Sequence, residues 1–298
     1  TTNLDFTEDN TVTQCLVGGT FYGSFDGLGH VIKDLVINGV GAGIFSGIAY
    51  GEIKNLGRKG GSSICENGGG GGLVNDMSES KMTNCFNTAN ISSLRGAGGL
   101  VGTAASNSRI ENCYNTGNLT ASTGMVAGIV VSIVSASDGG TVTIKNVYNT
   151  GTITDLADGY TAAIVGNMRN ASLIMHTLDL NNCYNFADIV GTNKHNRYGT
   201  ILGVIQNGEP ELTNIIATNV YTKPDALILD DVPTNRLIGW ANATQKANLV
   251  DKLVTANPTM KEDALYTPDH SQSAAFAAEL GGAFKHAPGR TPKLAWEE

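Results

Sequence analysis

The chain has 298 residues, 19 basic and 27 acidic side chains for a formal charge of −8, and 38 Gly and 29 Asn, while only 15% of its residues are charged. The acidic balance excludes the basic stripe of a nucleic-acid binder, no apolar run approaches the ~18–20 residues of a membrane span, and the Gly has no collagen period. With 41% apolar residues the chain can bury a core, so the Gly and Asn excess calls for a structural cause other than disorder.

In chain order, residues 1–20, ending in TVTQCLV at 11–17, supply an expected N-terminal cap strand. FYGSFDGLGH follows at 21–30, with Ile32, Leu35 and Ile37 behind it. His30 in this segment is assigned a turn role and not catalysis. From residue 43 the chain repeats itself. A short apolar block recurs as GIFS at 43–46, GLVN at 72–75, GLVG at 99–102, GIVV at 128–131, AIVG at 163–166 and TILG at 200–203, with starts 29, 27, 29, 35 and 37 residues apart. A second block follows each copy: MTNCFNTANI at 82–91, IENCYNTGNL at 110–119, IKNVYNTGTI at 144–153 and LNNCYNFADI at 180–189, with a degenerate IKNLG at 53–57 and a truncated NVY at 219–221. The distance from the first block to the Asn of the second is 12, 12, 13, 18, 19 and 19, which selects Asn219 over Asn214 and places an insertion in the later repeats.

Apolar stretches of strand length, separated by Gly, Asn, Ser and Thr at a period near 30, predict an all-β solenoid of stacked coils. Equivalent residues then stack ~4.8 Å apart. Gly and Asn are abundant because every coil must turn, and both tolerate the left-handed backbone of tight turns. Asn84, Asn112, Asn146, Asn182 and Asn219 form one predicted ladder. Leu56, Cys85, Cys113, Val147, Cys183 and Val220 form an inward column in which Cys behaves as a small hydrophobe. Phe86, Tyr114, Tyr148, Tyr184 and Tyr221 form an outward or rim-facing aromatic column, and Asn87, Asn115, Asn149 and Asn185 a second Asn column. A turn at the first Asn would reset the strand's alternation, which leaves some side-chain directions open.

The opening segment 21–37 and the six Gly-Leu-Val-like blocks in phase with their N-C-Y-N-T-G partners resemble bacterial GLUG-motif surface proteins over residues 18–221. The resemblance implies a right-handed parallel β-helix, here of about seven coils, in secreted or surface-anchored bacterial proteins that include adhesins. Similar repeats accompany an immunoglobulin A peptidase, outside its catalytic domain. The chain departs from the motif at Asn75 and Val131, which replace its closing Gly, and at Ala163 and Thr200.

From Pro224 the composition changes, so residues 1–223 read as the repeat domain and 224–298 as a cap tail on the last coils. Leu249, Val250, Leu253 and Val254 lie at helical spacing within 244–256, and 271–280 predicts a second short helix with Ser271 as N-cap and Gly281-Gly282 as stop. GRTPKLAW at 289–296 resembles the G-x-P-x-L-x-W close of such chains. The chain opens on Thr1 without a signal peptide or Met and reads as a mature or trimmed fragment of an extracellular or cell-surface protein. Adjacent coils bring Cys85 and Cys113 close enough for a disulfide, but Val and Leu share the column, which favours stacked free thiols. Cys spacings of 50, 20, 28 and 70 match no zinc pattern. The sequons at Asn90, Asn118, Asn170 and Asn242 are those expected by chance in an Asn-rich chain.

Catalytic constellations are sparse. There is no H-E-x-x-H and no G-x-S-x-G, and no Lys-Ser/Thr follows the Gly run at 68–72. Polysaccharide hydrolysis needs two carboxylates across the scissile bond. Asp155, Asp158, Asp179, Asp188, His176, His195 and Arg197 lie near the enlarged later loops, yet no column pairs them, and solvated loop charge is the plainer reading. The expectation is therefore a non-enzymatic protein without metal or cofactor. It would bind carbohydrate or a host or partner protein along the solenoid face, with Tyr114, Tyr148 and Tyr184 as sugar-stacking residues. The alternatives are a β-helix polysaccharide lyase or glycoside hydrolase, and a structural stalk.

Overall fold

The computed structural model describes residues 2–9, 11–66, 68–105, 107–134, 139–157, 159–169, 175–192, 195–206, 213–262 and 268–297. The chain winds as a parallel β-helix. Its Gly-Leu-Val face stacks seven parallel strands, from Val17–Phe21 through Phe45–Ala49, Val74–Ser78, Val101–Ala105, Val130–Val134 and Val165–Arg169 to Leu202–Gln206. A broad face carries the Asn-Cys-Tyr-Asn strands, among them Arg109–Asn115, Gly140–Asn149, His176–Asn185 and Thr213–Thr222. A third face runs from Val12–Gln14 to Leu227–Leu229, and a narrow fourth face holds Gly69–Gly71, Gly96–Gly98, Met125–Ala127 and Thr161–Ala162.

The register is the repeat alignment itself. Tyr114 pairs with Tyr148, Tyr148 with Tyr184 and Tyr184 with Tyr221, and Cys183 pairs with Val220. Each Asn of the first column has φ near +50°, from Asn55 at 54° to Asn219 at 53°. That left-handed residue kinks the strand, so Ile110 and Cys113 both point inward although three residues apart. The core is built from such columns: Ile53, Met82, Ile110, Ile144 and Leu180 beside Leu56, Cys85, Cys113, Val147 and Cys183, all buried. Full burial of each aliphatic side chain contributes ~1.5–3 kcal/mol. All five Cys are free thiols, with the Cys85 amide 3.4 Å from Cys113 Sγ.

The N-terminal end differs from expectation, and the C-terminal end differs only in the cap of its second helix. Residues 1–20 do not form a single cap strand: Leu4–Asp5, Val12–Gln14 and Val17–Phe21 begin three different faces, so the segment contributes most of a first coil. At the other end, a helical segment spans Ala243–Gln245, a π turn at Lys246–Val250 and Asp251–Ala256, with Asn242 Oδ1 capping the Gln245 amide at 2.9 Å. Leu249 and Val250 close the core. Asn257 covers the exposed edge of the last coil: its Oδ1 accepts from the Ala217 amide (2.7 Å), and its Nδ2 donates to the Ile215 carbonyl (3.0 Å). Met260–Glu262 then adds a parallel strand beside Thr213–Thr222. The second helix is Ser273–Leu280, ended by Gly281 at φ +83°. Its N-terminal flank is Gln272, without a side-chain cap, and Ser271 instead donates its amide to Asp269 Oδ1 in a turn.

Candidate functional site

The predicted aromatic column exists, but it is not an open surface. Phe86, Tyr114, Tyr148 and Tyr184 stack with centroids 4.9–5.0 Å apart and rings within 4° of parallel. The tail folds back over them and covers Tyr148, Tyr184 and Tyr221 with Phe276, Leu280, Phe284 and Leu294. Tyr148 Oη donates to the Glu297 carboxylate (2.9 Å), Tyr184 Oη to the Pro292 carbonyl, and Trp296 Nε1 to the Asn112 carbonyl (3.1 Å). Burial pushes the Tyr148 and Tyr184 phenols well above their usual range. Tyr114 stays partly exposed beside Trp296, with centroids 5.8 Å apart. The expected sugar-stacking face is thus corrected to a strap-covered hydrophobic seam. The outward direction of the column was legible; its cover was not, because the tail's apolar residues do not reveal what they pack against.

The two Asn columns do different work. In the first, amides link Asn55 to Asp26, Asn84 to Asn55, Asn146 to Asn112, Asn182 to Asn146 and Asn219 to Asn182 at 2.8–3.2 Å. In the second, Asn87, Asn115, Asn149 and Asn185 are fully buried, and the Nδ2 of each of the first three donates to the next Oδ1 at 2.8–2.9 Å. Arg58 occupies the same column one coil earlier and is also fully buried. Its guanidinium donates to the carbonyls of Ala42 (2.7 Å), Leu35 (3.1 Å) and Ser62 (3.0 Å) and to Ser63 Oγ (2.9 Å). Burial draws its pKa down to about 10. Sequence reasoning missed Arg58, although its place after the degenerate IKNLG block was the available signal. Burial likewise raises Cys113 and pushes Cys183 up to about 12, which marks these thiols as packing groups and not nucleophiles.

The catalytic candidates fall on separate elements. Asp155 is buried in a turn, its carboxylate accepting from the Ala157 and Gly159 amides and from Thr161 Oγ1 (2.6–2.9 Å). Asp188 pairs with Lys223. His176 is buried at the start of its broad-face strand, where desolvation lowers its pKa. His195 and Arg197 lie beyond the third-face strand Ile189–Gly191, with Arg197 over the Tyr160 ring at 5.2 Å. Asp158 and the Asn170 sequon lie outside the described residues. Among the described residues, no three His, Cys, Asp or Glu side chains form a cation-sized cluster.

Of the described members of that set, Asp179 borders an open groove on the outside of the broad face. Gly140–Asn149 begins three residues before Arg109–Asn115 in register, because Arg109 pairs with Thr143, so the insertion leaves a step in the sheet. The step is a groove of about 490 Å³ bordered by Asn107, Arg109, Glu111, Thr143, Lys145 and Asp179. Two outward columns floor it: Lys81–Arg109–Thr143–Asp179 and Thr83–Glu111–Lys145–Asn181. Glu111 pairs with Lys81 of the preceding coil (3.2 Å) and with Arg109 on its own strand (3.9 Å). Such surface pairs add at most ~1 kcal/mol each, so this mixed-charge face contributes little to stability. Lys145 and Asp179 have no ion-pair partner among the described residues.

The architecture, a parallel β-helix closed by a strap-like tail, defines a repeat solenoid. Residues 93–120, spanning one Gly-Leu-Val block and the Asn-Cys-Tyr-Asn block after it, match the family model described as the GLUG motif. The chain thus carries a GLUG motif at these residues, within a solenoid whose coils repeat the same two blocks. No curated protein matches it. A crystal structure from Bacteroides ovatus, named a "putative immunoglobulin A1 protease", is similar in fold, with a TM-score of 0.64 and 18% identity over 100% of this chain and 85% of that one. At that identity the likeness speaks for the fold alone.

Proposed function

We propose that this chain is a non-enzymatic binding solenoid of a secreted or surface-exposed bacterial protein, adhesin-like, and that its broad face contacts carbohydrate or a partner protein. The observation that carries this reading is the open mixed-charge groove of about 490 Å³ spread over consecutive rigid coils. Its donors and acceptors point outward at fixed ~4.8 Å intervals, which suits a polymeric partner with repeated polar groups. The catalytic readings fare worse. Glu111 and Asp179 share the groove two strands apart and two residues out of register. That offset puts their Cα atoms about 12 Å apart by strand geometry, and Glu111 is already held by two cations, which disfavours it as the free base or nucleophile of a carboxylate pair. The peptidase named for the fold neighbour would need a nucleophile or metal site, and the thiols here are buried.

The test is a glycan and matrix-protein array probed with the intact chain and with Lys145→Ala and Asp179→Ala. Binding that these variants lose supports the reading; binding indifferent to both removes the groove from it. Incubation with acidic and neutral polysaccharides should release no new reducing ends or unsaturated products, and release of either would establish the enzyme alternative.

A further inference from the structure

On a different face, at the corner between the Gly-Leu-Val strands and the narrow strands, lies a smaller cleft of about 220 Å³. We propose that this cleft binds a single sugar ring. The inference does not depend on the broad-face groove and would survive its failure.

The motif departures noted in the sequence meet here. Asn75 and Val131, which replace the closing Gly of their blocks, both line the cleft, with Gly102 between them in the stack. Asn75 is held in place by the Ala42 and Gly43 amides, which donate to its Oδ1 at 3.3 and 3.1 Å. Asp76, Thr103 and Ser132 pair in register along the floor. Asn167 continues that column beyond the cleft, where its Nδ2 bonds to Gln206 Oε1 (3.2 Å). Ser132 is only 8% exposed, lines the cleft, and makes no side-chain hydrogen bond among the described residues. Its Oγ is not sealed from solvent, so the hydroxyl on the cleft wall is available to a ligand that enters.

The glycines of the wall give the second observation. A Cβ at Gly69, Gly70 or Gly102 would meet neighbouring atoms at 2.0–2.6 Å, so coil stacking and packing demand glycine there. Gly96 is different. Its backbone is ordinary, and a Cβ would meet only Val131 Cγ1 at 3.4 Å and the Met125 carbonyl at 3.8 Å. Nothing in the fold requires Gly96; what its missing side chain does is keep the cleft open.

The lining specifies the ligand class. The Asp76 carboxylate accepts hydroxyl protons, and Arg95 at the rim offers forked donors to hydroxyl oxygens. Ser132 and Thr103 add hydroxyls, while Met125 and Val131 present apolar surface to the C–H face of a ring. Asp76 disfavours an anionic ligand. The volume lies below the ~300 Å³ at which drug-sized pockets begin, so one pyranose fits and an enclosed oligosaccharide does not.

The experiment is saturation-transfer NMR on the intact chain with methyl glycosides of glucose, galactose, mannose and N-acetylglucosamine, followed by titration of the strongest. Wild type should bind saturably. Asp76→Asn, Ser132→Ala and Gly96→Ala should each weaken binding by about tenfold or more, and Lys145→Ala on the broad face should not change it. Asp76 is exposed, so its variant tests the site even if a change at Gly96 disturbs the coil. Absence of saturable binding by wild type, or cleft variants that bind as wild type does, overturns the proposal.

Discussion

Asn112 and Asn115 sit three residues apart in the same repeat, yet the structure assigns them opposite reasons for being Asn. Asn112 has φ +54° and a partly exposed amide, so its role is mainly backbone. Asn115 has no left-handed φ and is fully buried; it donates to Asn149 Oδ1 (2.8 Å) and the Gly117 carbonyl (2.9 Å) and accepts from Asn87 Nδ2 (2.9 Å). Replacing Asn112 by Gly loses one half-exposed hydrogen bond, about 0.5–1.5 kcal/mol. Replacing it by Ala adds the left-handed penalty of about 1–2 kcal/mol. Replacing Asn115 by either residue strands the Asn87 amide and the Asn149 carbonyl away from water, at about 1–3 kcal/mol each, and Gly adds a further ~0.5–1 kcal/mol of backbone entropy over Ala. The predicted order therefore crosses: Gly is the milder change at 112, Ala at 115, and both changes at 115 exceed Asn112→Gly. Urea unfolding followed by far-UV circular dichroism gives the four midpoints. The same order of Gly and Ala at both positions would refute the assignment of roles.

The Glu297 carboxyl, buried beneath the strap between Tyr148 and the Leu294 amide with Lys285 and Lys293 nearby, has its pKa raised above 4.5 chiefly by that burial. The folded state therefore holds the proton more tightly, and strap docking is strongest below the unfolded pKa near 4.5 and weakens as pH rises through the folded value. Hydrogen exchange of 273–297 should slow from pH 7 toward pH 5 after correction for intrinsic rates; faster corrected exchange would contradict this. At the other end Asp5, Asp9 and Asp26 are lowered, first by Thr7, Thr11 and Asn55 hydrogen bonds respectively. Their contribution is present above their unfolded values near 3.8 and is lost as pH falls through the folded ones, so the first coil should fray in acid while the strap does not. Gly99→Ala sets a Cβ 1.9 Å from the Gly128 carbonyl and should cost about 1–3 kcal/mol or more, whereas Gly96→Ala should leave the urea midpoint nearly unchanged. The five thiols, all buried, should resist alkylation in the native chain and label fully in denaturant; rapid native labelling of Cys183 would place that column in solvent.

The coils were legible because their cause is local and repeated. Short Val, Ile and Leu runs, a left-handed Asn and an inward Cys or Val recur in phase, so aligning the repeats by eye yields the strand register. Asn219 was separable from Asn214 by that phase, and it bonds to Asn182 Oδ1 at 3.1 Å. The first coil was less legible because Val17–Phe21 carries two Gly and few apolar residues to mark it. The strap was least legible. Phe276 meets Tyr184 and Tyr221, and Trp296 meets Asn112, across sequence separations at which spacing carries no signal. The groove was half legible: the insertion and Asp179 were visible, but Arg109, Glu111 and Lys145 join them only once the register is known.

Affinity of the intact chain for its strongest array ligand, compared between wild type and the charge reversal Lys145→Glu with Asp179→Lys, tests the central claim most directly. The account predicts that this pair of substitutions abolishes binding while Tyr148→Phe, beneath the strap, leaves it unchanged. Binding that survives the reversal but disappears with Tyr148→Phe would contradict it and return the contact surface to the aromatic column.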